Sequence, residues 1–326
     1  MSSVPRPFLK WAGGKAQLLS QFAPLYPGRV EKRRYIEPFL GSGAVFFQVW
    51  KLFRPSAVIL ADENEELINV YTAIRDDVEE VIKRLARHKA SHSRDYYYRI
   101  RGRESRGLSR VARAARMIYL NKTCFNGLYR VNRQDRFNVP LGRYRKPPIL
   151  DAENLRAVSR ALQGADIRAA HFSETVAYAR GGDFIYLDPP YHPRSRTSSF
   201  TSYTRASFRD SDQIELSEVY ARLTRKGCLL MLSNSDTSFI RRLFRRHDIR
   251  KVQARRSINS RADRRGRISE LVVLNYEPAG STSHLPSSIG RSHGEGRLAV
   301  PPERVKDVRQ DAGVSCGTGN RDRRGR

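Results

Sequence analysis

Residues 35–62 read YIEPFLGSGAVFFQVWKLFRPSAVILAD. Tyr35, Ile36 and Glu37 predict a short strand, and PFLGSG predicts the loop that follows it. AVFFQVWKLF reads as a helix, and AVIL at 57–60 as a second strand that ends at Ala61 and Asp62. Strand, glycine-rich turn, helix, strand and acid make the opening unit of a doubly wound α/β fold. Gly41 and Gly43 let the backbone turn sharply after the first strand and come close to a ligand.

Beyond Glu65 the texture changes. Up to about Ala115 the chain has helical periodicity and many charges. In SRVARAARMIYL, Arg110, Arg113 and Arg116 share one face, while Val111, Ala115 and Ile118 share the other. Residues 121–148 are loop-like and dense in Asn, Gly, Arg and aromatics. Strand patterns resume with FIYLD at 184–188 and CLLML at 228–232. IRKVQARRSI and ISELVVLNY predict a closing hairpin around NSRADRRGR. The expectation is an α/β domain built from residues 1–64 and 149–278, with a mainly helical, basic domain, 65–148, inserted into it. Residues 279–326 shift to Ser, Gly, Pro and Arg without an apolar period and predict a disordered basic tail.

Charge bounds the partner. The chain carries 61 Lys and Arg against 33 Asp and Glu, a net +28, and a field of that sign attracts polyanions. Nucleic acid leads, because each neutralised phosphate releases counterions and adds affinity; an arginine-rich solvated surface is the plain alternative. Cys124, Cys228 and Cys316 lack metal-ligand spacing, which argues against a zinc site or a disulfide framework, and no metal is expected. No apolar stretch approaches a membrane span, and MSSVPRPFLKWAGGK has no signal-peptide core. A cytoplasmic monomer is expected.

Three stretches carry chemistry. Asp62 ends the second strand about twenty residues after the glycines, where nucleotide-binding folds place an acid for ribose hydroxyls; alone it equally suits a turn or a helix N-cap. The third glycine of the dinucleotide fingerprint is replaced by Phe46, which disfavours a pyrophosphate and favours an adenosine-type ligand without phosphates. S-adenosylmethionine (SAM) is such a ligand. FLKWAGGK at 8–15 sets Trp11, Lys10 and Lys15 around Gly13 and Gly14, but its spacing is not that of a P-loop and Ala16 stands where the hydroxyl would be. FIYLDPPY at 184–191 ends a buried strand on Asp188, at the end of the sheet where open α/β folds bind ligands. Pro189 and Pro190 stiffen the backbone there. The Asp188 carboxylate and the Pro189 carbonyl can both accept from one amino group, and Tyr191 offers a ring to a flat heterocycle. An isolated D-P-P-Y also occurs as a plain structural turn.

The order FLKWAGGK, YIEPFLGSGAVFF, LADENEELINVY, NKTCFNGLYRVN, FNVPLGRY, FIYLDPPY strongly resembles the DNA adenine-N6 methyltransferases of the Dam type. The resemblance covers residues 6–277, including SNSDTSFI and the closing strands. It implies a Rossmann-like, SAM-dependent methyltransferase domain with an inserted DNA-recognition domain, acting on an adenine flipped from double-stranded DNA, within GATC. It implies SAM contacts at Trp11, Lys15, Asp62 and Asp188, with Glu37, Phe39, Gly41 and Gly43 around the cofactor's amino-acid part. Phe172 in HFSE falls near the cofactor adenine. Asp188, Pro189, Pro190 and Tyr191 match the catalytic motif. Phe125, Asn126 and Arg130 match a DNA-reading segment, with a wedging aromatic and an arginine that reads guanine; here Phe125 replaces the family's frequent Tyr. An RNA methyltransferase and a non-catalytic DNA-binding protein are the alternatives.

Overall fold

The computed structural model describes residues 3–194, 208–255 and 267–281. The opening unit forms as expected: strand β1 (Arg34–Glu37), then strand β2 (Ala57–Asp62). Three further strands, β3 (Asp166–Ala169), β4 (Phe184–Leu187) and β5 (Leu229–Ser235), run parallel to them. β6 (Asp248–Arg255) and β7 (Arg267–Leu274) close the sheet as an antiparallel pair, in the order β3-β2-β1-β4-β5-β7-β6. The expected hairpin therefore exists; the connection assigned to its turn lies outside the described residues. β3 was not anticipated. It is a four-residue edge strand, DIRA, only half-buried, so it carries two charges and no apolar alternation.

Helices cover both faces. Strand residues alternate between them, as a two-residue side-chain period requires. Tyr35, Phe184, Tyr186 and Met231 enter one core. Ile36, Ile185, Leu187, Leu230 and Leu232 enter the other. The first core is filled from α1 (Leu19–Phe22), α2 (Ala44–Phe53), α3 (Glu65–Ala90), α4 (Arg94–Gly102), α5 (Arg110–Thr123) and α6 (Ala152–Leu162). The second is filled from α7 (Phe172–Ala177), α8 (Asp210–Arg225) and α9 (Ser238–Leu243). The fold is the doubly wound α/β type.

The helical segment that was read as an insertion shares the first core with the sheet. Val70, Ile74 and Leu85 of α3 and Ala114, Ile118 and Leu120 of α5 are buried in the same cluster as Tyr35 and Phe184. The arginine face of α5 is engaged within the protein. Arg110 donates to Asp76 and Asp77, where the backbone of α3 leaves helical geometry at Asp77. Arg113 donates to Glu66, and Arg116 to the carbonyls of Ile100 and Arg101. The expected tail begins with a short 3-10 turn, Ala279–Ser281, in which the Ala279 N–H donates to the Tyr26 carbonyl at 3.4 Å. Residues 282–326 lie outside those described.

β1 sits between β2 and β4, so the strand order reverses at its two edges. Open α/β sheets place their ligand crevice at such a reversal, beyond the carboxyl ends of the strands. The loop at 38–43 leaves β1 there, and residues 188–191 leave β4 beside it.

Candidate active site

Residues 38–43 close on themselves. The Gly43 N–H donates to the Leu40 carbonyl at 2.8 Å, and the Tyr71 hydroxyl of α3 donates to the Gly41 carbonyl at 3.0 Å. Gly43 has φ +67°, and a Cβ there would lie 2.8 Å from the Tyr71 hydroxyl and 3.1 Å from Phe47. Gly43→Ala is therefore expected to lower stability by about 1–2 kcal/mol from the left-handed backbone alone, with the clash added; a shift in the denaturant midpoint measures it. Glu37 is buried beneath this loop, where it accepts from the Tyr35 hydroxyl at 2.7 Å and from the backbone of Phe46. Burial, together with the nearby Asp188 and Asp62, pushes its carboxyl well above the usual range.

Asp62 ends β2 and bridges two backbone groups. Its Oδ2 accepts from the Gly41 N–H and its Oδ1 from the Asn64 N–H, each at 3.0 Å. Asn64 in turn caps α3, accepting from the Leu67 N–H. Asp62 thus holds the glycine loop against the start of α3, and each oxygen retains a further lone pair. Trp11 packs on Gly41, where a Cβ would lie 3.0 Å from the indole Cδ1, and stacks on Tyr129 at 5.5 Å. Phe39 stacks on the fully buried Phe172 at 5.3 Å.

Lys15 is the centre of the arrangement. Its Nζ donates to the Gly13 carbonyl at 2.6 Å and pairs with Asp188 Oδ1 at 2.8 Å, with side chains 6 % and 17 % exposed. The same ammonium lies 4.5 Å from the Tyr191 ring centroid. Ser233 Oγ donates to the same Asp188 Oδ1 at 2.7 Å, and Tyr186 OH lies 2.9 Å from that Oγ. Two donors converge on Oδ1, which leaves Oδ2 the oxygen to offer to another group. The backbone of the motif is held from two sides. Gln213 of α8 donates to the Pro190 carbonyl at 2.9 Å, and Asn234 of β5 accepts from the His192 N–H at 3.2 Å. Asn234 also donates to Gln213 at 3.0 Å, and both are fully buried. The Tyr191 hydroxyl, to which the sequence assigned no role, donates to Glu270 Oε2 of β7 at 2.7 Å. Burial pushes the Tyr191 phenol well up, so it is the donor in that bond. Burial also raises the Glu270 carboxyl, while Lys15 and the Tyr191 bond pull it down.

Residues 121–130 join this centre through the N-terminal loop that carries Lys10 and Lys15. Asn121 is buried; its amide accepts from the Lys10 N–H at 2.9 Å and donates to the Lys10 and Gly127 carbonyls at 2.8 and 2.9 Å. Gly127, at φ +64°, approaches Lys10 so closely that a Cβ would lie 2.4 Å from its side chain. Phe125 is 47 % exposed, so it is not a core aromatic. Asn126 is exposed in left-handed geometry, and the exposed Arg130 donates from Nε to Asn138 Oδ1 at 2.7 Å.

Lys15, Asp188 and Tyr191 are thus brought into direct contact, and Trp11, Gly41 and Asp62 into a second connected group. Phe125, Asn126 and Arg130 stand apart from both on the surface. Ser233, Glu270, Gln213 and Asn234 were missed as site residues. A signal existed for two of them: Ser233 ends the apolar run of β5, and Glu270 directly precedes the apolar run of β7. Among the described residues no cluster of His, Cys, Asp and Glu could hold a metal ion, and no helix is long and apolar enough to cross a membrane.

A family model described as D12 class N6 adenine-specific DNA methyltransferase matches residues 11–258. The Type II methyltransferase M.MjaIII of Methanocaldococcus jannaschii is 41 % identical over 83 % of this chain and 99 % of its own. The Type II methyltransferase M1.LlaDCHI of Lactococcus lactis subsp. cremoris is 40 % identical over 83 % of this chain and 95 % of its own. The DNA adenine methylase of Escherichia coli K12 is 34 % identical over 84 % and 96 %. Among solved structures, the rRNA methyltransferase aviRa of Streptomyces viridochromogenes has a TM-score of 0.36 at 14 % identity over 82 % of this chain and 89 % of its own, too slight a likeness to bear on function.

Proposed function

The chain belongs to the D12 class of N6 adenine-specific DNA methyltransferases, and from that premise we propose that it methylates the adenine of GATC in double-stranded DNA with SAM as donor. The observation that carries the catalytic assignment is the loading of Asp188: Oδ1 is occupied by Lys15 and Ser233, and Oδ2 is left to the substrate. GATC follows from the resemblance to the Dam type, which the relatives named DNA adenine methylase support. The D12 membership weighs against the RNA methyltransferase and non-catalytic alternatives.

The crevice suits the donor. The glycine turn leaves β1 at its edge, Lys15 pairs with Asp188 and its charge lowers the Glu270 carboxyl, and Asp62 retains acceptor capacity for hydroxyls. Trp11, Phe39, Gly41, Gly43 and Asp62 would hold SAM, with Glu37 supporting the loop from beneath. When bound, SAM supplies an electrophilic methyl group. The target adenine leaves the helix, because its amino group cannot reach a methyl donor inside the stack. Asp188 Oδ2 and the Pro189 carbonyl accept from the two N6 hydrogens, which turns the nitrogen lone pair out of the ring plane. Tyr191 stacks on the base. Holding two reactants in line accounts for up to about 7–11 kcal/mol of the barrier. Residues 65–148 serve as the DNA-recognition domain. Phe125 fills the gap left by the displaced base, a stacking contact of about 1–3 kcal/mol, and Arg130 reads guanine through O6 and N7.

The test is transfer of labelled methyl from SAM to GATC duplexes, to duplexes altered at each position, and to RNA of the same sequence. Transfer to N6 of the GATC adenine alone is expected; preference for RNA or for another site would reject the assignment. In the same series Arg130→Ala should lose about 1–3 kcal/mol of discrimination at one base pair. Uniform weakening with a salt slope lower by about one would make it a phosphate contact instead.

A further inference from the structure

We propose that Glu270 is a positioning residue for methyl transfer, fixing through its hydrogen bond from Tyr191 the ring on which the target base stacks. The inference rests on the catalytic reading of residues 188–191. Tyr191 follows two prolines, and its backbone surroundings are held by Gln213 and Asn234. That leaves two side-chain torsions to set the plane of its ring. The hydroxyl bond to Glu270, at 2.7 Å, sets them from the far end of the ring. The Lys15 ammonium covers one ring face, so a stacked base uses the opposite one. Glu270 is well placed to be rigid, because it lies in β7 in register with Ser235 of β5. Its own strand neighbour is also tied in, since Arg194 donates to the Ser269 carbonyl.

An acid at this position needs explaining. Glu270 is half-buried; withdrawing a carboxyl from water is costly unless it is hydrogen-bonded or paired, and a strand packed between β5 and β6 would accept an apolar residue more readily. The groups that compensate Glu270 are the Tyr191 hydroxyl and the charges of Lys15 and Arg194. Two of these three belong to the catalytic centre. Glu270 therefore contributes through the ring it orients, without touching the base.

The experiment compares single-turnover methylation of a GATC duplex by wild type, Glu270→Gln, Glu270→Leu, Tyr191→Phe, the double variant Tyr191→Phe/Glu270→Leu, and Asp188→Ala. Gln keeps an acceptor for the hydroxyl; Leu removes it. Glu270→Leu is expected to slow the step about tenfold, the equivalent of one ordinary hydrogen bond, with DNA affinity unchanged. Glu270→Gln should return to within about threefold of wild type, as retention of that bond requires. The double variant should be no slower than the slower single variant, since both remove the same contact. Wild-type speed in Glu270→Leu, equal loss in Gln and Leu, or additive losses in the double variant would each overturn the proposal while leaving the catalytic motif in place. Wild-type speed in Asp188→Ala would instead overturn the reading of residues 188–191, and this inference with it.

Discussion

Asp188→Ala is expected to reduce methyl transfer by roughly 10²–10⁴-fold, the range for removing a positioned proton acceptor or a preorganised polar contact from a reaction centre. The substitution deletes the acceptor proposed for the adenine amino group and, with it, the ion-pair partner of Lys15. A strand-end acid read from the sequence alone would be expected to contribute little to stability. Here the Lys15 side chain is 6 % exposed and loses its ion pair at 2.8 Å, and breaking a buried pair costs up to about 3–5 kcal/mol. Asp188→Asn separates the two effects, because Ser233 can still donate to the amide oxygen. Transfer measured beside a denaturation curve decides the matter. An Asp188→Asn protein that is folded, binds DNA and methylates at the wild-type rate would take Asp188 out of the chemistry.

Lys15→Met is the second large effect. It removes the ion pair of Asp188 and a charge that lowers the Glu270 carboxyl, and the Tyr191 ring loses its cation. Stability should fall by roughly 3–5 kcal/mol, and methyl transfer should fall with it. The sign of the pH dependence follows from Glu270. Burial already raises its folded-state pKa, and Lys15 is the first influence that lowers it. Removing Lys15 raises it further. A carboxyl whose pKa is higher folded than unfolded destabilises the native state most above the folded pKa, and the penalty is relieved as the pH falls through it. The gap between the denaturant midpoints of wild type and Lys15→Met should therefore narrow as the pH is lowered from about 8 to about 5. A gap that does not narrow on acidification would mean that Glu270 does not feel Lys15.

Much of the fold was legible because it is written locally. β1, the glycine loop, α2 and β2 follow from a run whose apolar residues and glycines dictate strand, turn and helix within thirty residues. The helical texture after Glu65 was equally plain, and α3, α4 and α5 form there. Its role in the core was not. Periodicity identifies the apolar face of a helix but not what covers it; α3 packs on β2 and β3, and α5 packs on α3 within the same core. The arginine stripe of α5 shows the same limit. Three basic residues on one face invite a polyanion, yet their carboxylate and carbonyl partners lie on α3 and at the end of α4.

By itself, the sequence determined the α/β class, the glycine turn after β1 and the Asp188 motif at a strand end, because each depends on residues adjacent in the chain. Tertiary structure alone decided which oxygen of Asp188 takes Lys15 and Ser233, that Asp62 braces the glycine loop, and that Glu270 holds Tyr191. The partners that settle those points come from elsewhere in the chain: Ser233 is 45 residues from Asp188, and Glu270 is 79 from Tyr191. Strands distant in sequence become neighbours only when the sheet assembles, and a buried carboxyl takes its chemistry from whatever donors that assembly brings to it.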